Sequence, residues 1–301
     1  GAVVLARVPT WISCCLPERK AYVTRDPLRP TEAFSIVQRG LLRFFRQMSQ
    51  ATLGFFGGVG QRVLFLREVR RAFGEPETYL PLVIPQMRAI GVDSVPLTIM
   101  VAAFIGGVIS LQIRYQLFPG IQLSIVGLSV RQIVILETGP LLTGLVLAGR
   151  VGAKMTAEIG TMRVTEQIDA LETLAYDPVA YLVVPRLIAS VLMLPILAII
   201  ANICGVASGL MAAVFLTDVQ LSQFMEGVRL GFDNFQVTYS LIKATLFGAA
   251  IAYLCTFEGY VTEAGAQGVG KSTAKAVVVS SIWILVLDAL TAVLLAPYLQ
   301  G

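Results

Sequence analysis

Two carboxylates stand in this chain where carboxylates are costly. Glu137 and Asp288 both lie inside long apolar runs. A charge placed in a membrane must be paired or face water, and such residues are functional candidates by default. Gly139 and Pro140 follow Glu137 after Thr138 and interrupt regular helix hydrogen bonding. Irregular backbone at membrane depth is tolerated only beside a cavity or packed protein. Glu137, with Gly139 and Pro140 beside it, is therefore read as functional, the alternative being a side chain that only fixes helix packing. For Asp288 a functional role and a packing role are equal readings.

A second cluster of charge runs from Glu158 to Asp177, between two apolar stretches. Val164, Ile168, Leu171 and Ala175 recur at helical spacing on one face. Glu158, Glu166, Asp169 and Glu172 fall on the opposite side. One face can pack on a membrane domain while the acidic face, flanked by Arg163 and Asp177, meets a basic partner. The alternative is a solvated loop helix.

The segment Gly265–Ser272, GAQGVGKS, matches the phosphate-loop pattern G-x-x-x-x-G-K-[ST] letter for letter. A phosphate loop needs a strand before it and a helix after it in an α/β domain. Here apolar runs lie on both sides. The expected structure is a tight turn, with Ser272 or Thr273 capping the last helix, and a membrane NTPase is the lesser reading. The chain has no His and four Cys. Cys14, Cys15, Cys204 and Cys255 have no metal-site or disulfide spacing. No catalytic residue, metal or cofactor is expected.

The elements that must hold these residues are membrane helices. The chain has 301 residues, 56% apolar and 14% charged, with mean hydropathy +0.76. Soluble domains carry about 25% charged residues. About 20 apolar residues cross a bilayer, and five runs qualify, at about 95–113, 123–149, 181–216, 239–257 and 276–299, with Pro195 expected to kink the third. Residues 1–16 contain Arg7 and Pro9 and lack a basic leader, so a cleaved signal peptide is not expected. Residues 1–53 read as an N-terminal extension, partly amphipathic or disordered. At about 54–90, Phe55, Phe56, Val63, Leu64, Phe65 and Leu66 mingle with Arg62, Arg67, Arg70 and Arg71. This is the pattern of interfacial helices rather than of a nucleic-acid surface. With the N-terminus inside, Lys and Arg divide as 19 inside and 4 outside, the latter being Arg114, Arg131, Arg229 and Lys243. That distribution favours an N-in, C-out topology. Gly205-x-x-x-Gly209 offers a close helix approach, on weak evidence.

The stretch LETGPLLTGLVLAGRVGAKMTAEIGTMRVTEQIDAL, followed by DPVAYLVVPR, resembles the MlaE family of ABC-transporter permeases. That family includes the bacterial Mla phospholipid-trafficking permease, the permeases of actinobacterial Mce systems and the chloroplast trigalactosyldiacylglycerol permease. GAQGVGKSTAKAVV resembles the family's last cytoplasmic loop. The match covers roughly 54–300, so 54–301 is read as the permease domain and 158–177 as its coupling segment.

The resemblance implies an all-α membrane protein, with interfacial N-terminal helices, five transmembrane helices and a cytoplasmic coupling helix. It further implies a homodimer, a separate ABC ATPase at the cytoplasmic face carrying out ATP hydrolysis, an MCE-domain protein on the other side, and membrane lipid as substrate. The location implied is the bacterial inner membrane, with the chloroplast inner envelope as the alternative. The family's motif is commonly Arg-Glu-Leu-Gly-Pro; here Leu136 stands in place of the Arg, and Arg131 is the candidate substitute. The leading expectation is the permease subunit of an ATP-driven lipid transporter, most simply for phospholipid. A sterol or other hydrophobic substrate and a non-transporting scaffold are the other readings.

Overall fold

The computed structural model describes residues 58, 60–74, 76–118, 120–263 and 265–299. The chain divides between Gly60 and Gln61, and the helices below belong to Gln61–Gly301. The extension expected over 1–53, and the start of the interfacial segment at 54–57, lie outside the described residues.

Within this unit every described element is helical. Helix α1 covers 61–72 and α2 Pro76–Ile90, followed by α3 Val95–Gln116. Next come α4 Ser124–Ile133, α5 Gly139–Leu147 and α6 Ala153–Val164. They join through wider π-type turns at Val134–Thr138 and Ala148–Gly152. Then follow α7 Gln167–Thr173, α8 Pro178–Leu182, α9 Val184–Leu216, α10 Leu221–Arg229, α11 Asn234–Tyr260 and α12 Ala266–Leu299. Five helical stretches are long and apolar enough to cross a membrane, namely Pro76–Gln116, Ser124–Val164, Pro178–Leu216, Asn234–Tyr260 and Ala266–Leu295. The protein is an all-α membrane protein.

The second stretch is 41 residues long, about 60 Å at 1.5 Å per residue, twice a bilayer's hydrocarbon thickness of about 30 Å. Its last turns, carrying Lys154, Glu158 and Arg163, therefore project beyond the hydrocarbon. The apolar run does not end the helix at Gly149, because the π-type turn at Ala148–Gly152 carries the chain on without a break. The island is correspondingly not one helix. It divides at Glu166, whose φ is +59°, into the end of α6 and the short α7.

Helix α11 is the centre of the bundle. Tyr239, Phe247, Ile251, Ala252 and Cys255 are all at most 1% exposed, and they meet α9, α12, α5 and α6. One core cluster joins Leu147, Val151, Leu194, Leu197, Phe247 and Ile251. Another packs Phe65 and Val69 of α1 against Ile168, Val183 and Phe257, so α1 lies at the α7 end of the bundle. The close approach expected at Gly205 occurs. A Cβ added to Gly106 of α3 would overlap the Gly205 carbonyl of α9, and small residues there let the two backbones touch.

Candidate functional site

The site begins with what Pro140 removes. A proline inside a helix has no N–H for the carbonyl four residues back, here that of Leu136. Lys243 of α11 supplies the missing donor, its Nζ lying 3.3 Å from the Leu136 oxygen. The same ammonium donates to Glu137 Oε2 at 2.7 Å and pairs with Asp288 Oδ1 of α12 at 2.8 Å. The Tyr239 ring lies 4.8 Å from it, within cation–π range. Three spans are thus tied through one nitrogen. The π-type turn at Val134–Thr138 carries Glu137, and such single wide turns often mark functional positions. Gly139 is required behind it, because an added Cβ would overlap Asn202 Oδ1.

Exposure separates the three charges. The Lys243 side chain is fully buried, Asp288 is 17% exposed and Glu137 is 47% exposed. Glu137 therefore has one oxygen on Lys243 and a face turned outward. Position 137 is 13 residues from the start of α4, Lys243 is nine from the start of α11, and Asp288 is eleven before the end of α12. At 1.5 Å per residue these are comparable depths, about 14–20 Å from the end opposite α7. Such a depth falls inside a hydrocarbon layer about 30 Å thick that starts at those helix ends. The network can hold a polar group at that depth, and it can register movement of α4–α5 against α11 and α12.

Glu137, Gly139, Pro140 and Asp288 thus converge on one place. Lys243 was missed as a site residue; counted by sequence as an outside charge, it stands inside α11. A lysine in a long apolar helix, with two carboxylates elsewhere in apolar runs, was the available signal. Arg131 does not reach Glu137's pair. It is 1% exposed and donates to the carbonyls of Val228 and Gly231 at the end of α10.

The six coupling candidates separate into two groups. Glu158 pairs with Arg186 at 3.1 Å, Arg163 pairs with Asp169 at 2.7 Å, and Asp177 caps α8 by accepting from Val179 N. Glu166 and Glu172 are exposed and have no ion pair among the described residues. Left-handed backbone at Glu166 and Ala175 brackets α7, at a cost of about 1–3 kcal/mol for each non-glycine residue. A further cluster passed unnoticed in the sequence. Glu258, 4% exposed, pairs with Arg62 of α1 at 2.8 Å and Lys275 of α12 at 2.7 Å. It clasps α1 to the α7 end of α11 and α12.

The expected turn at Gly265–Ser272 is corrected. Gly265 has φ +93°, but α12 begins at Ala266, so Lys271 and Ser272 lie on its second turn. Thr273 does not cap the helix; its hydroxyl donates back to the Val269 carbonyl at 2.7 Å. A regular helix points its N–H groups along its axis and cannot wrap them around a phosphate. Equilibrium dialysis should therefore show no ATP binding by the isolated chain. Lys271→Ala should leave that result unchanged, and nucleotide binding lost on this substitution would overturn it.

Residues 83–294 match the model of the family described as Permease MlaE. A probable ABC transporter permease protein of Rickettsia prowazekii is 39% identical over 250 residues, covering 82% of this chain and 95% of that one. The intermembrane phospholipid transport system permease protein MlaE of Haemophilus influenzae is 30% identical over 257 residues, covering 84% and 94%. The chloroplastic protein TRIGALACTOSYLDIACYLGLYCEROL 1 of Arabidopsis thaliana is 33% identical over 206 residues, covering 68% and 59%. With a family model spanning most of its length and relatives matched nearly end to end, this chain belongs to the MlaE family of ABC-transporter permeases.

Proposed function

We propose that the chain is the membrane subunit of an ATP-driven phospholipid transporter, moving lipid between its own membrane and an MCE-domain partner. A separate ABC ATPase docks at the α7 end and hydrolyses ATP, and the MCE-domain protein sits at the opposite end. The permease works as a homodimer, N-in and C-out, in a bacterial inner membrane. The observation that carries this reading is the Lys243 network, with Glu137 half exposed at its edge. A carboxylate held at bilayer depth and turned outward needs a polar or aqueous neighbour, and a lipid headgroup drawn into the protein supplies one. A relative named for intermembrane phospholipid transport supports the choice of lipid.

The test uses the assembled complex. A photocrosslinker at position 137 should capture lipid during turnover. Glu137→Ala should leave expression and dimer formation near wild type while lowering lipid transfer and changing lipid-stimulated ATPase activity. Capture of neighbouring protein alone, together with normal transfer by the Ala variant, would make Glu137 a packing residue.

A further inference from the structure

A second polar feature of the spans lies apart from the Lys243 network. Arg131 of α4 is 1% exposed and pairs with no carboxylate among the described residues. Its Nη1 donates to Val228 O at 2.8 Å and its Nη2 to Gly231 O at 3.3 Å, while Nε has no partner. A guanidinium carries five N–H donors. The two carbonyls belong to the end of α10 and its following turn, where a helix carries only about half a unit of negative charge. Capping α10 is therefore an incomplete account of the residue, because the positive charge is desolvated and not neutralised.

The space beside Arg131 is a cavity of about 410 Å³, walled by Ile135, Ile203, Val206, Leu210 and Phe224. That volume falls in the range of small-ligand pockets. Its rim includes Ile203 and Phe232, 63% and 49% exposed, so it opens on the flank of the bundle. The Phe232 ring lies 5.5 Å from the guanidinium and covers it. Asn202 also lines the cavity, but its Nδ2 donates to Ser240 and its Oδ1 is turned onto Gly139. An unneutralised donor therefore stands at the margin of an apolar pocket.

We propose that this cavity binds one molecule of an anionic membrane lipid, with its phosphate on Arg131 and an acyl chain along Ile203, Val206 and Leu210. Charge complementarity selects the headgroup. An ionised phosphate accepts charge-assisted hydrogen bonds from the guanidinium, and its negative charge completes what the α10 carbonyls begin. Phe232 swings aside as the headgroup enters. The proposal rests on the permease reading only in needing a surrounding membrane.

Native mass spectrometry of the purified full-length chain tests it, with phosphatidylglycerol, phosphatidylcholine or inorganic phosphate added after delipidation. Wild type should retain one phosphatidylglycerol per chain at least tenfold better than phosphatidylcholine. Ala207→Phe, which fills the cavity without touching the α10 carbonyls, should remove that preference, as should Arg131→Gln. Should Arg131→Gln fail to fold, Ala207→Phe alone decides. Equal retention of the two lipids, or an undiminished preference in Ala207→Phe, would overturn the site. So would binding of inorganic phosphate that excludes the lipid, or a change confined to the dimer–monomer balance. Retention is read without the ATPase, so a failure of the Glu137 transport test leaves this result standing, and the reverse holds too.

Discussion

Lys243→Ala is expected to be the most damaging single substitution within the spans. The ammonium is fully buried and serves two carboxylates and a freed carbonyl from three helices. Removing it leaves Glu137 and Asp288 facing each other without a cation and Leu136 O without a donor. Breaking a buried ion pair by deleting one partner costs about 3–5 kcal/mol. That loss should appear in chemical unfolding of the detergent-purified chain, and lipid transfer by the complex should fall at least tenfold. Asp288→Asn should be milder, since Lys243 keeps Glu137. A packing role and a transport role then separate in one further variant. Replacing the network together, with Lys243→Met, Asp288→Leu and Glu137→Gln, removes every uncompensated charge. Buried ion pairs exchanged for apolar groups of similar volume are often neutral or stabilising. This variant should recover much of the lost stability while remaining inactive. Normal lipid transfer by it would mean that the network only holds helices together.

The spans were legible because a membrane demands long apolar runs, and nothing else in the chain competes with that signal. Their ends were less so. Residues 150–164 are polar enough to read as a connection, yet Ala148–Gly152 continues the helix as a π-type turn, and hydrophobicity does not record backbone continuity outside the bilayer. The same limit hid the break at Glu166, which is set by a left-handed residue rather than by Gly or Pro. Glu137 and Asp288 stood out because an unpaired carboxylate in an apolar run is costly. Lys243 carries the same signal, but it lies only nine residues into α11, close enough to the expected end of a span to be counted as a flank. Which charges meet is a matter of helix rotation and depth, and no spacing within one segment contains it. The Glu258 clasp was illegible for the same reason, joining residues 196 apart in sequence.

Reversing charge at both Glu166 and Glu172 is expected to release the ATPase while leaving the membrane domain folded. The ion pairs narrow the candidates for the proposed docking face. Of the acidic residues in the segment, Glu158, Asp169 and Asp177 are already engaged with Arg186, Arg163 and the α8 backbone. Glu166 at the start of α7 and Glu172 in its last turn have no such partners, and Leu174 and Tyr176 beside them are 68% and 53% exposed. Apolar side chains standing outward from a short helix, rimmed by acid, form a surface for a basic, grooved partner. Ile168 faces inward at 0% exposure and anchors α7 to the bundle. Exposed charges alone contribute little, but a charge covered by a docked partner and then reversed costs about 2–5 kcal/mol. That is roughly thirtyfold or more in Kd at the lower bound, measurable by co-purification and by titration of the ATPase onto the permease. Leu174→Asp should act in the same direction. Asp177→Lys should differ in kind, because it removes the α8 cap, worth about 1 kcal/mol, and lowers stability. If Glu166→Lys/Glu172→Lys retains the ATPase at wild-type affinity while Asp177→Lys releases it, α7 is a structural spacer, and the partner must grip the chain elsewhere at this end of the bundle.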